Sequence, residues 1–108
     1  MISDILAKNI VDSLSDYIDT MRLKFSDDSL LENTATWEDS VVSDEEQKVK
    51  RDVKSSFNVA DKDGLSVVEI ALVGGGQELY KESVDYAISG IDILDVTVTL
   101  EYSYDYNA

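Results

Sequence analysis

Apolar positions recur along this chain with two different periods, and the change from one to the other predicts the elements. Ile2, Leu6, Ile10, Leu14, Tyr17 and Met21 are spaced by three or four, with Ile5, Val11 and Ile18 widening the stripe. That spacing predicts a long amphipathic helix over residues 3–24, facing a core. Ser3 or Asp4 can cap its start, where an acid suits the helix dipole, and Lys24 suits the opposite pole.

Period two takes over later. Val49, Val53, Phe57 and Val59 fall on odd positions, while Lys48, Lys50, Asp52, Lys54, Ser56 and Asn58 are all polar. Val49, Val53 and Phe57 also sit four apart, as in a helix, but the nearly unbroken alternation followed by "ADKDG" favours a strand over 49–59 and a hairpin turn. "LSVVEIALV", 65–73, is apolar on both faces and predicts a central strand covered on both sides. Leu94, Val96, Val98, Leu100, Tyr102, Tyr104 and Tyr106 alternate with polar residues, which predicts a long strand over 93–106. Between these strands, Tyr80, Val84, Ala87 and Ile88 sit at i, i+4, i+7 and i+8, with Gly90 as a stop. The same stretch read as a strand would place Glu82 on its apolar face. A helix over 77–89 is therefore preferred, and strand–helix–strand implies a right-handed crossover.

Residues 25–47 show neither period. They hold Asp27, Asp28, Glu32, Glu38, Asp39, Asp44, Glu45 and Glu46 without one Lys or Arg, which reads as an irregular acidic connection. "SDEE" at 43–46 fits a capping box, so a short helical turn is expected from Asp44. The sum is a single α+β domain over 1–108: a small, mostly antiparallel or mixed sheet of three to four strands, with the long helix and a short second helix packed on it. In element order alone it loosely resembles small phage tail-completion proteins.

Composition narrows the chemistry. The 108 residues carry 23 acids against 9 bases, a net charge of −14, with no His, Cys or Pro. Without Cys or His there is no thiolate nucleophile, no imidazole base and none of the usual zinc sites. The charge would repel a phosphate backbone, so direct nucleic-acid binding is not expected. No apolar run is long enough to span a bilayer, and "MISDILAKNI" lacks a basic leader, so a soluble cytoplasmic protein, or one carried in a virion, is expected.

Two motifs resemble ligand loops. Gly74, Gly75 and Gly76 follow an apolar run, but Leu79 stands where a dinucleotide fingerprint needs its third glycine, and Glu78 would oppose a phosphate. These glycines are expected only to turn the backbone, and no cofactor is expected. "NVADKDGLSVVE" aligns Gly64 with the glycine of a calcium loop, leaving Asp61 and Asp63 as weak cation candidates, but Val59 and Ile70 stand where end ligands belong. Turn chemistry is the preferred reading.

The expectation is thus a non-catalytic, acidic protein-protein interaction or assembly subunit, of which a phage or virion structural component, in the tail or head–tail region, is one kind. A protein partner or a second copy would cover the doubly apolar strand, with Tyr102, Tyr104 and Tyr106 as interface residues. The alternative is an acidic nucleic-acid mimic, of anti-restriction or anti-CRISPR type, that uses the acids of 27–46, together with Asp95, Glu101 and Asp105 on the open face of the last strand, to occupy a basic surface.

Overall fold

A computed structural model describes residues 3–104. It contains one α-helix, α1 (Asp4–Tyr17), and eight strands: β1 (Thr20–Phe25), β2 (Leu30–Thr34), β3 (Thr36–Trp37), β4 (Val41–Ser43), β5 (Lys48–Asn58), β6 (Ser66–Gly74), β7 (Gln77–Ala87) and β8 (Ile93–Ser103). The expected α+β arrangement of two helices on one small sheet is therefore overturned. The strands form two four-stranded sheets, one in the order β2-β1-β6-β7, the other built around β5 with β3, β4 and β8 as its partners. Every pairing is antiparallel.

Three local corrections explain the difference. The N-terminal helix stops at Tyr17, with Ser3 Oγ accepting from Leu6 N–H at its start. From Thr20 the sequence "TMRLKF" alternates, burying Met21, Leu23 and Phe25 while Thr20, Arg22 and Lys24 face outward. Met21 belongs to both periods, so the helical stripe runs into the strand without a visible break. The acidic connection carries β2, β3 and β4; because β2 is an edge strand with most side chains exposed, its composition looks like a loop. "SDEE" makes the turn from β4 to β5, in which Glu46 N–H points to Ser43 Oγ at 3.4 Å.

The third correction concerns residues 77–89, which form strand β7 and not a helix. Gly74 pairs with Gln77 across the turn, and Gly75 and Gly76 have φ of +59° and +76°. Two central residues at positive φ make a type I′ hairpin, whose twist suits the flanking strands. The expected crossover is a two-residue turn, and the element order behind the likeness to phage tail-completion proteins goes with it.

The sheets face one another. Met21, Leu23 and Phe25 of β1 and Val67, Ile70 and Leu72 of β6 pack against Val53 and Phe57 of β5 and Val98 of β8. A second cluster joins Ala7 and Val11 of α1 to Val49 and Tyr104, so the helix covers the far end of the second sheet. Between the two clusters lies Arg51. Its guanidinium donates to the carbonyls of Val11, Asp12 and Glu38 and lies 4.7 Å from the Trp37 ring centroid.

One side of the sandwich is closed by the chain itself. It leaves the first sheet at Thr34, passes Ala35 and enters the second at Thr36. Ala35 N–H donates to Asp19 O, Trp37 Nε1–H to Ile18 O, and Ser55 Oγ–H to Thr34 O. On the outer face of β6, Ala71 is buried and stands in register between Arg22 and Lys81, whose charges meet Glu78 and Glu69.

Candidate functional site

The opposite side of the sandwich is open. Among the described residues β7 pairs only with β6, and β8 only with β5. These two edges run antiparallel, tied together by residues 88–92, and a groove lies between them. One chamber, about 340 Å³, is lined by Val67, Ile70, Val84 and Tyr86 on one side and Leu94 and Val96 on the other. A second, about 410 Å³, lies between Leu79 and Tyr80 on β7, Leu100 on β8, and Leu14 and Tyr17 of the helix. Tyr17 is 67% exposed, and Leu79 and Tyr86 are each 50% exposed, so the groove mouth is apolar and wet.

Two irregularities shape β7. Val84 and Asp85 together oppose Val68, and Leu79 is an extra residue between the pairs Leu72–Tyr80 and Val73–Glu78. Each bulge coincides with one chamber, in keeping with the use of bulges to re-aim side chains beside sites and to blunt free edges. Between the bulges Glu82 pairs with Ile70 and so shares the inward face with Tyr80. The Tyr80 hydroxyl donates to Glu82 Oε2 at 3.3 Å. Burial, and then the Glu82 charge, push the Tyr80 phenol above its ordinary range, which keeps it protonated as a donor.

The charged residues that line the groove are all acidic: Asp85 and Asp95 at the first chamber and Glu101 at the second. Each of the nine basic side chains is already engaged: Lys8, Arg22, Lys24, Lys48, Lys50, Lys54 and Lys81 in ion pairs, Arg51 on backbone carbonyls, and Lys62 on Ser29 Oγ and the Phe25 ring. Among the described residues Glu82, Asp85 and Asp95 have no cation within ion-pair distance. Asp95 accepts from Ser56 Oγ, while Glu101, at the other chamber, is held by Lys48 at 3.2 Å.

The residues singled out in the sequence are placed elsewhere. Tyr104 is 5% exposed under α1, and its hydroxyl donates to Asp44 Oδ1 at 2.8 Å. Tyr102 is half-buried beside it in the same cluster, and Asp105 and Tyr106 lie outside the described residues. The acids of 27–46 do not form one face. Asp27 and Asp28 sit in the β1–β2 turn, Glu32 on β2, Glu38 and Asp39 between β3 and β4, and Asp44, Glu45 and Glu46 between β4 and β5. Five of them have structural partners. Ser29 donates twice to Asp27, holding it below the usual carboxylate range. Asp28 meets Lys24, Glu38 meets Lys54, Asp44 meets Tyr104, and Lys50 lowers Glu46.

Asp61 lies in a single 3₁₀ turn, Ala60–Lys62, and Asp63 Oδ1 accepts from Gly90 N–H at 2.9 Å. No group of three or more His, Cys, Asp or Glu able to hold a metal occurs among the described residues. The glycines at 74–76 lead into a strand, so no helix N-terminus follows them.

The sequence conceals the groove for one reason. Its signal in the sequence is the alternating face Tyr80, Glu82, Val84, Tyr86, interrupted by an acid, and that interruption argues for a helix. An edge strand at an open seam removes the objection, because Glu82 can face inward and still reach water. The architecture is an antiparallel β-sandwich, closed along one side, open along the other and capped by one helix. No family model matches the chain, and neither a curated protein nor a solved structure is significantly similar to it. No described helix is long and apolar enough to cross a membrane.

Proposed function

We propose that this chain is a non-catalytic protein-binding subunit that receives another polypeptide along the open side of its sandwich. The observation that carries this reading is the pairing of two free strand edges with an apolar groove between them. Exposed aromatic and aliphatic groups gathered at one concave place mark a partner surface more often than singly scattered ones do. The absence of His and Cys supports a binding role over a catalytic one. The −14 charge favours a partner of opposite sign over a second copy, since like-charged surfaces repel. Cytoplasm or a virion assembly is the setting that goes with this role. Dispersal of the 27–46 acids, five of them with local partners, weighs against the phosphate-mimic alternative.

Site-specific photo-crosslinking in the native cytoplasm tests it. A photoreactive residue at Leu79 or Tyr86 is expected to capture another polypeptide, while one at Ser83, on the outer face of β7, is not. Equal capture from all three positions, or none from the first two, would overturn the reading.

A further inference from the structure

Resting on that binding role, we infer that the groove accepts an extended basic segment of the partner, which adds as a strand to β8 and carries the pattern apolar–x–Lys/Arg–x–apolar. The two edges are not equivalent. β8 pairs with β5 residue for residue over its eleven positions without a bulge, which leaves its other edge long and regular. Such an edge is a template for a further strand unless something blunts it. β7, with its two bulges and inward Glu82, is blunted, and supplies side-chain recognition in place of backbone pairing.

The spacing sets the pattern. Tyr80 marks one chamber, Val84 the other, and Glu82 stands midway between them. On the β8 side Leu100 and Val96 mark the same two chambers, again four residues apart. Alternate residues of an extended strand point the same way and advance roughly 6.6 Å, so positions i and i+4 lie about 13 Å apart. An added strand can place apolar side chains at i and i+4 in the two chambers. Its i+2 side chain then meets Glu82, which has no cation partner among the described residues. Asp85 and Asp95 at the rim favour further basic residues on the same segment and disfavour acidic ones. A second copy of this chain is a poor occupant, because its nine bases are already engaged.

The probe is a ten-residue peptide with the core Leu-Thr-Arg-Thr-Val flanked by lysines, titrated by fluorescence anisotropy at low ionic strength. Saturable binding is expected, with slowed amide exchange along β8. Glu82→Lys should weaken it at least tenfold, and Glu82→Gln severalfold. Glu32→Lys, which changes net charge as much as Glu82→Lys but lies on β2, should change it less than twofold. Of two peptides N-methylated on alternate amides in opposite registers, one should lose binding at least tenfold. Equal losses from Glu82→Lys and Glu32→Lys would reduce the effect to general attraction and overturn the inference, as would full binding by both methylated peptides. A wild-type dimer abolished by Glu82→Lys would assign the groove to a second copy instead. If the peptide fails while Leu79 and Tyr86 still crosslink to a partner, strand addition falls and the binding role stands. If those crosslinks are absent too, both fall.

Discussion

Gly74 lies against the end of α1 so closely that a Cβ on it would stand 1.6 Å from the Tyr17 carbonyl oxygen. The obstacle is backbone, which cannot rotate away, so a side chain there would force the helix off the sheet. Gly74→Ala should cost about 3 kcal/mol by the usual penalty of overpacking. Gly75→Asn, at φ +59° with open space around it, should cost under about 1 kcal/mol, because Asn tolerates the left-handed region. Urea denaturation of the two variants checks the contrast, and a Gly74→Ala protein of wild-type stability would refute this placement of the helix.

Arg51 ties together three parts of the molecule: the helix, the β3–β4 connection and the second sheet. Arg51→Met should keep much of the packing of the stem but strand three carbonyl acceptors and lose the contact with Trp37. A loss of about 2–4 kcal/mol is expected from bonds of this kind. Lysine, a point charge in place of a planar fork, should recover less than half of it. Thermal melts of the Met and Lys variants distinguish this from a purely steric role.

Asp12 couples stability to acid. The Lys8 ammonium, then the Ser40 hydroxyl, hold its carboxyl below the usual range, with Arg51 nearby adding to the effect. A carboxyl depressed on folding contributes stability that is complete above its unfolded value and is lost as pH falls through its folded one. The contribution should therefore fade as pH falls below about 4, the unfolded carboxyl value. Because the side chain is 39% exposed, solvent screening keeps it below about 1 kcal/mol. Asp12→Asn should flatten that part of the acid limb in stability measured from pH 7 to pH 2; an unchanged slope would contradict it.

How much of this was legible beforehand follows from where each residue sits. The alternation at 48–58 and 93–103 could be read because both strands have one face in the core and one in water. The edge strands could not. β2 buries little, so its composition matches a loop, and β7 carries an acid inward at an open seam, where the inside–outside rule fails. The helix stripe misled by length and partly by face. Ala7 and Val11 are its buried positions, whereas Ile5, Leu6 and Tyr17 are exposed. The doubly apolar strand suggests a missing cover, yet Ala71 is buried with charged residues of the same sheet, Arg22 and Lys81, on either side of it.

The acids of the 27–46 segment should divide by partner and not act as a group. Neutralising Asp39 and Glu45 should move stability by no more than about 0.5 kcal/mol, as for most surface changes. Asp44→Ala should cost about 1–2 kcal/mol, because the Tyr104 hydroxyl loses its carboxylate acceptor in a nearly buried place. Tyr104→Phe should abolish most of that difference, and a double-mutant cycle measures the coupling. A cycle energy near zero would show that the bond contributes nothing.

Neither sheet is made from one stretch of chain. The first takes β1 and β2 from the early part and β6 and β7 from the late part; the second takes β3, β4 and β5 from the early part and β8 from the late part. Met21 meets Leu72, and Val53 meets Val98. Contacts so distant in sequence make folding slow, in the range of milliseconds to seconds. They also make the two portions mutually dependent. A cut in the exposed turn at 61–63 would leave one fragment with β1–β5 and another with β6–β8, each holding an unfinished half of both sheets. Such halves have nothing to complete but one another, so the chain divides naturally into a complementing pair whose reassembly rebuilds the sandwich.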